Sequence, residues 1–205
     1  KIAERYFLPI RQKADVEQPT FDGTHVHMIP EIKPAIEAVI ASGLACPEAD
    51  YELGGMQLPS IVASAATSYL SAAGSTMLGY TSLTNANCNL IEAHGTAEQI
   101  AKWVVPMREG RFAGTMAMTE PSAGSGLADL ITSATKTDDG RYLISGNKIY
   151  ISGGDHNLTE NIVHLVLARI KGAPKGIKGV SLFIVPKYRV DDAGAVTTSN
   201  DVNLA

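Results

Sequence analysis

The chain has 205 residues, of which 45% are hydrophobic and 19% are charged. This composition is that of an ordinary globular protein, and it excludes a disordered or fibrous chain. The formal net charge is -4, so the sequence lacks the basic surface that binding to a phosphate backbone requires. Nucleic acid is therefore not expected as a partner.

Neither a membrane span nor a disulfide is expected. The longest weakly polar run, residues 58–80, is repeatedly interrupted by Ser, Thr and Gly, whereas a membrane span needs roughly 20 predominantly apolar residues. Cys46 and Cys88 have no second Cys or His at ligand spacing, which favours reduced, partly buried residues of a cytoplasmic protein. The chain begins at Lys1 without an initiator Met, and we expect it to be a fragment.

Residues 1–110 are predicted to form a helical domain. Apolar residues recur at helical spacing over residues 32–40. A second helix is predicted at about residues 59–78, where small side chains let neighbouring helices approach closely. Another helix is predicted to begin after Thr96, because Thr96 is a good N-cap and Gln99 stands at the capping-box position.

Beyond Gly110 the pattern changes to short extended runs separated by turn residues. The sequence therefore predicts an α+β fold, with a small antiparallel, β-barrel-like domain in residues 111–205. Turns at residues 138–140 (DDG) and 145–147 (SGN) are suited to hairpins. After Pro186 the chain is polar, and one or two weak strands at most are expected. The strands are predicted at residues 112–118, 131–136, 142–145, 148–152, 162–169 and 180–185.

Two glycine-rich segments do not fit the known nucleotide motifs. Residues 124–129 (GSGLAD) begin like a dinucleotide fingerprint, but Asp stands at the sixth position and hairpin strands follow where a crossover helix would be needed. Residues 172–179 lack the Gly-Lys-Ser/Thr ending of a P-loop. A turn between strands explains this second segment better.

The histidines do not predict a metal site. His25 and His27 lie near Asp22, but no third ligand is placed nearby, which favours a loop with two ordinary histidines. His156 is an equally weak candidate. His164 lies inside an apolar strand, where a hydrogen-bonded core histidine is expected.

Two segments of the second half carry motifs of a known family. Residues 119–125 (TEPSAGS) follow an apolar strand, and residues 146–154 (GNKIYISGG) come later in the chain. Together they resemble the acyl-CoA dehydrogenase family, in which a Thr-Glu-Pro-x-Ala-Gly-Ser-Asp loop and a Gly-x-Lys-x-Trp-Ile-Thr-Asn-Gly segment hold FAD. The resemblance runs over residues 31–185, and residues 158–186 look most like the larger branch of the family, which includes 3-methylmercaptopropionyl-CoA dehydrogenase.

The resemblance implies a flavin site. Thr119 is expected to offer its hydroxyl and N–H to the polar edge of the isoalloxazine, where hydrogen bonds stabilise the charge of the reduced ring. Ser125 is expected to reach the FAD pyrophosphate and to border the acyl-CoA substrate. Tyr150 replaces the usual Trp and Ser152 the usual Thr. The cofactor-binding residues implied are Met116, Met118, Thr119, Ser125, Tyr150, Ile151 and Ser152.

The resemblance also implies a reaction that these 205 residues do not complete. Family members remove the α-proton of an acyl-CoA with a glutamate of a C-terminal helical domain, which is absent from this chain, while the β-hydrogen passes to the flavin. No catalytic residue is therefore assigned here, Glu120 included, and the fragment alone is expected to be inactive. The implied partners are an acyl-CoA, an electron-transfer flavoprotein and further copies of the chain in a homo-oligomer.

Other interpretations stay open from the sequence. Gly126 stands where the family has Asp, which changes the expected loop shape. A non-catalytic flavoprotein or interaction module could use the same scaffold, and a bare β domain used for assembly would bind no flavin at all. Residues 76–83 are expected to line the floor of the substrate cavity, without indicating the acyl chain length.

Overall fold

The first half of the chain is helical, as predicted, in a computed structural model that describes residues 1–204. Short 3-10 or π-helical turns lie before α1, between α2 and α3, and between α4 and α5. Among the helices of residues 1–204, none combines the length and the apolar character needed to cross a bilayer. The helices are α1 (Arg11–Val16), α2 (Ile32–Ala41), α3 (Ser60–His94), α4 (Ala97–Gln99) and α5 (Val105–Arg108).

The helical core forms where the apolar stripe of α2 meets α3. The predicted spacing is confirmed, because Ile32, Ala35, Ile36 and Val39 are all buried. They share one cluster with Phe7, which is fully buried. Burial of such a stripe stabilises a surface helix more than its intrinsic propensity does.

Helix α3 is longer than predicted and has a break inside it. Gly74 is non-helical within the run (φ 178°, ψ 78°). A Cβ at Gly74 would lie 2.4 Å from Cε of Met77 and 3.2 Å from the ring of Phe7, so the missing side chain allows both residues to pack closely. The break therefore occurs where the N-terminal segment packs on α3.

The helix predicted after Thr96 begins with the expected capping box. The Gln99 N–H donates to Oγ1 of Thr96 (3.2 Å), and the Thr96 N–H donates to Oε1 of Gln99 (2.9 Å). The run continues through a π-helical turn (Ile100–Val104) into α5. It ends before Gly110, which adopts a left-handed backbone (φ +78°).

The second half carries strands, but the prediction of an antiparallel sheet is wrong. In the five-stranded sheet β6 is parallel to β3 and to β4, and it is antiparallel to β7. Only β4 and β5 form the predicted hairpin around the DDG turn. The strands are β1 (Thr20–Phe21), β2 (Val26–His27), β3 (Phe112–Ala117), β4 (Ser133–Lys136), β5 (Tyr142–Ser145), β6 (Asn161–Ile170), β7 (Val180–Pro186), β8 (Tyr188–Val190) and β9 (Val196–Ser199).

A predicted strand at residues 148–152 is also wrong, whereas the weak strands after Pro186 are confirmed as the β8–β9 hairpin. Tyr150 adopts a left-handed backbone (φ +58°), which interrupts an extended strand. The SGN turn therefore ends β5 without starting a hairpin.

Helix α3 is tied to the centre of the sheet by a buried asparagine. Nδ2 of Asn87 donates to the carbonyl oxygens of Thr115 and Val163, both at 3.0 Å, and so joins the helix to two parallel strands. Gly114 faces this asparagine, and a Cβ there would lie 2.6 Å from the Asn87 Cβ. Because Gly114 has no side chain, α3 lies directly on the strand that leads into the TEPSAGS loop.

Candidate functional site

The two motif segments lie side by side at the end of β3. The N–H of Ile149 donates to the carbonyl oxygen of Thr119 (2.9 Å). Nζ of Lys148 donates to the carbonyl oxygen of Met118 (3.1 Å). The structure therefore brings together two segments that are 30 residues apart at this contact.

The buried side chain of Glu120 stabilises the contact between the two motif segments. Its side chain is fully buried and accepts hydrogen bonds from the N–H of Ile131 (2.7 Å), from the N–H of Thr132 (3.1 Å) and from Nζ of Lys148 (2.7 Å). Burial raises the pKa of Glu120, but the bonds from Lys148 and the two N–H groups outweigh it and lower the pKa to about 2. A carboxylate bound in this way is a poor general base, which supports leaving Glu120 without a catalytic role.

Glu120 is expected to make the folded state sensitive to acid. A carboxylate with a depressed pKa stabilises the fold above its unfolded pKa, near 4.5, and loses this contribution as the pH falls toward about 2. The difference corresponds to about 3 kcal/mol. Chemical unfolding at pH 7 and pH 3 measures the larger part of this contribution, about 2 kcal/mol.

The matched variants for this measurement are Glu120→Gln and Glu37→Gln. Glu37 is exposed on α2. The Glu120 variant is expected to lose part of the wild-type pH dependence, and the Glu37 variant to retain it. An equal pH dependence in both variants would contradict the role given to Glu120.

The seven implied cofactor residues differ in their surroundings. Met116 is half-buried and packs on the cluster that joins α3 to the sheet, so only part of it is accessible. Met118 is 40% exposed and Tyr150 is 90% exposed. Ile151 and Thr119 are half-buried, and Ser125 and Ser152 are exposed. Met118, Ser125, Tyr150 and Ser152 are therefore open to a ligand, whereas Met116 lies against the core between α3 and the sheet.

The residues at the strand end fit a ligand that accepts hydrogen bonds. Within residues 1–204, neither the N–H nor the hydroxyl of Thr119 forms a hydrogen bond, and the same holds for Ser125. The N–H of Glu120 closes a tight turn onto the carbonyl oxygen of Ala123 (2.8 Å), which projects the following loop outward. A Cβ at Gly124 would have no heavy atom within 4 Å. Free donors in an open Gly/Ser loop suit a phosphate or the polar edge of a flavin.

A broad open cleft lies beside the second motif, residues 146–154. Tyr150 and Ile151 line it, together with Lys148, Tyr80 and His164. Of the seven implied residues, these two alone contribute to its wall. An exposed aromatic ring at the edge of a cleft offers a surface on which a planar ring system can stack.

The buried histidine of β6 has the predicted structural role. Nδ1 of His164 pairs with Oγ1 of Thr115 (2.7 Å), which confirms the interpretation as a hydrogen-bonded core residue. Burial lowers its pKa to about 4, and it does the same for His156, which packs edge-on against Tyr80 at 5.3 Å. Both histidines are therefore neutral at pH 7.

The remaining polar candidates are structural as well. Oδ1 of Asp22 accepts the N–H groups of Thr24 and His25 at 2.8 Å, and its Oδ2 pairs with Nε2 of His27. No group of three or more potential ligands gathers into a metal site within residues 1–204. Cys46 and Cys88 are free thiols and more fully buried than expected.

The sequence did not reveal the Glu120–Lys148 pair. Glu120 was visible only as part of the TEP motif, and Lys148 only as part of the second motif. One acidic and one basic residue, each in one of the two motifs, could have indicated an ion pair. The two residues are 28 positions apart, however, and their contact depends on the fold.

In this arrangement a helical domain packs against a curled, mixed sheet, and an open loop with free hydrogen-bond donors follows β3. This arrangement defines the class of protein. The sequence pattern of the acyl-CoA dehydrogenase N-terminal domain matches residues 1–111, and that of the acyl-CoA dehydrogenase middle domain matches residues 115–202. The chain belongs to the acyl-CoA dehydrogenase family.

Individual relatives agree with the family. The chain is 38% identical to a 3-methylmercaptopropionyl-CoA dehydrogenase of Ruegeria pomeroyi, over 94% of this chain and 33% of that protein. It is 38% identical to a broad-specificity linear acyl-CoA dehydrogenase of Mycobacterium tuberculosis, over 87% of this chain and 30% of that protein. The chain thus spans about a third of the length of the curated relatives it matches.

Solved structures share the fold. An acyl-CoA dehydrogenase of Geobacillus kaustophilus superposes with a TM-score of 0.69 at 27% identity, over 89% of this chain and 44% of that one. An acyl-CoA dehydrogenase of Bacillus anthracis, complexed with FAD, has a TM-score of 0.71 at 22% identity, over 91% of this chain and 29% of that one.

Proposed function

We propose that the chain supplies the flavin-binding part of an FAD-dependent acyl-CoA dehydrogenase that converts an acyl-CoA to a trans-2-enoyl-CoA. One observation carries the proposal: the two motif segments meet at Thr119 and Ile149, beside unpaired donors and an exposed aromatic ring. When bound, the flavin accepts the β-hydrogen of the acyl group as hydride while a base removes the α-proton. The chain itself provides no residue for that base.

The proposed roles follow the exposure and the free donors of the residues. Thr119 donates its N–H and hydroxyl to the polar edge of the flavin, and Met116 and Met118 contact the ring. Tyr150, Ile151 and Ser152 hold its other side, where Tyr150 has a left-handed backbone and a side chain open to solvent. Ser125 donates to the pyrophosphate and borders the acyl-CoA.

The acyl tail is proposed to lie along the open face of α3 at residues 76–83. A Cβ at Gly79 would have no heavy atom within 4 Å, so space remains beside this stretch. The family relationship supports an acyl-CoA substrate, an electron-transfer flavoprotein as electron acceptor and a homo-oligomer. We further propose a cytoplasmic protein whose helical and β domains divide at Gly110.

Flavin retention tests this proposal. The 205-residue chain and the full-length product of its gene are purified, and the absorbance between 350 and 500 nm, the range of oxidised flavin, is recorded with and without added FAD. We expect the full-length product to retain FAD. A protein that is colourless after incubation with FAD and removal of the unbound FAD would favour a scaffold used only for assembly, and a flavin that no acyl-CoA reduces would favour a non-catalytic flavoprotein.

A further inference from the structure

A buried ion pair lies directly behind the proposed flavin site. We define the Glu120–Lys148 clasp as the Glu120 carboxylate and the Lys148 ammonium, whose Oε1 and Nζ are 2.7 Å apart. The Glu120 side chain is 0% exposed and that of Lys148 is 11% exposed. Charges this far from water interact strongly with their neighbours and are only weakly screened by salt.

The clasp joins three segments of the chain. Glu120 accepts the N–H groups of Ile131 and Thr132, and Lys148 also donates to the carbonyl oxygen of Met118. The residue between Met118 and Glu120 is Thr119, so the clasp fixes the backbone on both sides of it. The direction of the free Thr119 donors therefore depends on both partners.

The clasp also balances charge. Within residues 1–204, neither Glu120 nor Lys148 forms an ion pair with any other charged residue, so each neutralises the other alone. Removing the carboxylate would leave an uncompensated ammonium that contacts the carbonyl of Met118, and removing the ammonium would leave a buried carboxylate.

We propose that the Glu120–Lys148 clasp is the positioning and charge-balancing pair of the flavin site, so that it sets both the affinity for FAD and the reduction potential of the bound flavin. The proposal rests on the proposed function, because it needs Met118 and Thr119 beside the ring. Reduction adds negative charge to the polar edge of the flavin, and a nearby positive charge favours that state while a negative charge opposes it.

The test measures the dissociation constant for FAD and the midpoint potential of the flavin in the full-length gene product. Glu120→Gln is expected to shift the potential to a more positive value, and Lys148→Met to a more negative one. Each is also expected to weaken FAD binding by about tenfold, because the Thr119 backbone loses one of its supports.

Conservative variants separate charge from shape. Glu120→Asp keeps the charge with a shorter side chain, and Lys148→Arg keeps the opposite charge, so both should retain the wild-type potential even where FAD affinity falls. If Glu120→Gln does not fold, the comparison of Lys148→Met with Lys148→Arg decides. Equal potentials in the charge-removing and charge-keeping variants would overturn the proposal, since a purely structural role predicts that result.

Failure of the proposed function gives a different outcome. A wild-type protein that binds no FAD overturns the proposed function, and this inference with it. A wild-type protein that binds FAD, with variants whose potentials do not move, overturns only the role of the clasp.

Discussion

Ser125→Asp is expected to weaken FAD binding by about a hundredfold. The substitution places a carboxylate in the exposed loop where the proposed site holds the pyrophosphate. Two charges of the same sign about 4 Å apart repel by several kcal/mol at the effective dielectric of a protein surface, of which screening leaves about 2 to 3 kcal/mol. Equilibrium titration with FAD, followed by flavin fluorescence, measures the loss.

The same loop offers a matched control. Ser122 is exposed, lies three residues earlier and has no proposed contact with the cofactor. Ser122→Asp is expected to change the dissociation constant by less than about threefold, and added salt should restore part of the affinity of the Ser125 variant alone. Equal affinities for the two aspartate variants would argue against a pyrophosphate at Ser125.

Gly114→Val is expected to lower the free energy of unfolding by about 4 kcal/mol. Already the first carbon of the new side chain would lie 2.6 Å from Cβ of Asn87, which cannot rotate away because it is attached to the backbone of α3. Helix and strand must separate, and the two bonds that Asn87 donates to Thr115 and Val163 are weakened. Overpacking and the loss of buried hydrogen bonds together reach this magnitude.

Gly79→Val serves as the control for this substitution. Gly79 lies in α3 with open space around its Cα. Valine has a somewhat better helix propensity than glycine, so the unfolding free energy should change by less than about 0.5 kcal/mol. Urea unfolding of the three proteins measures the difference, and a Gly114 variant as stable as the Gly79 variant would refute the close contact between α3 and β3.

Local features of the fold could be predicted because their causes are local. The helix start at Thr96 follows from a capping box within four residues, and the DDG hairpin from a turn of three. The pairing of the strands could not be predicted in this way, since apolar runs indicate strands without indicating their neighbours. The parallel pairing of β3 with β6 joins Phe112 to Asn161, far apart in the sequence.

The site was predictable to a similar degree. The motifs indicated the segments of Thr119 and Tyr150 as candidates, and the fold brings these two segments together through the hydrogen bond that the Ile149 N–H donates to the carbonyl oxygen of Thr119. The strand predicted at residues 148–152 does not form, because Tyr150 adopts a left-handed backbone (φ +58°) that interrupts extended structure. The role of Glu120 as an acceptor of three donors was likewise hidden, since those donors come from two distant segments.

The most direct test of the proposed function is anaerobic reduction of the flavin by substrate. The full-length gene product is loaded with FAD and mixed with a series of acyl-CoAs, including 3-methylmercaptopropionyl-CoA and butyryl-CoA, while the absorbance near 450 nm is followed. We predict that at least one acyl-CoA bleaches this band and yields the enoyl-CoA. A stably bound flavin that no member of the series bleaches would contradict an acyl-CoA dehydrogenase.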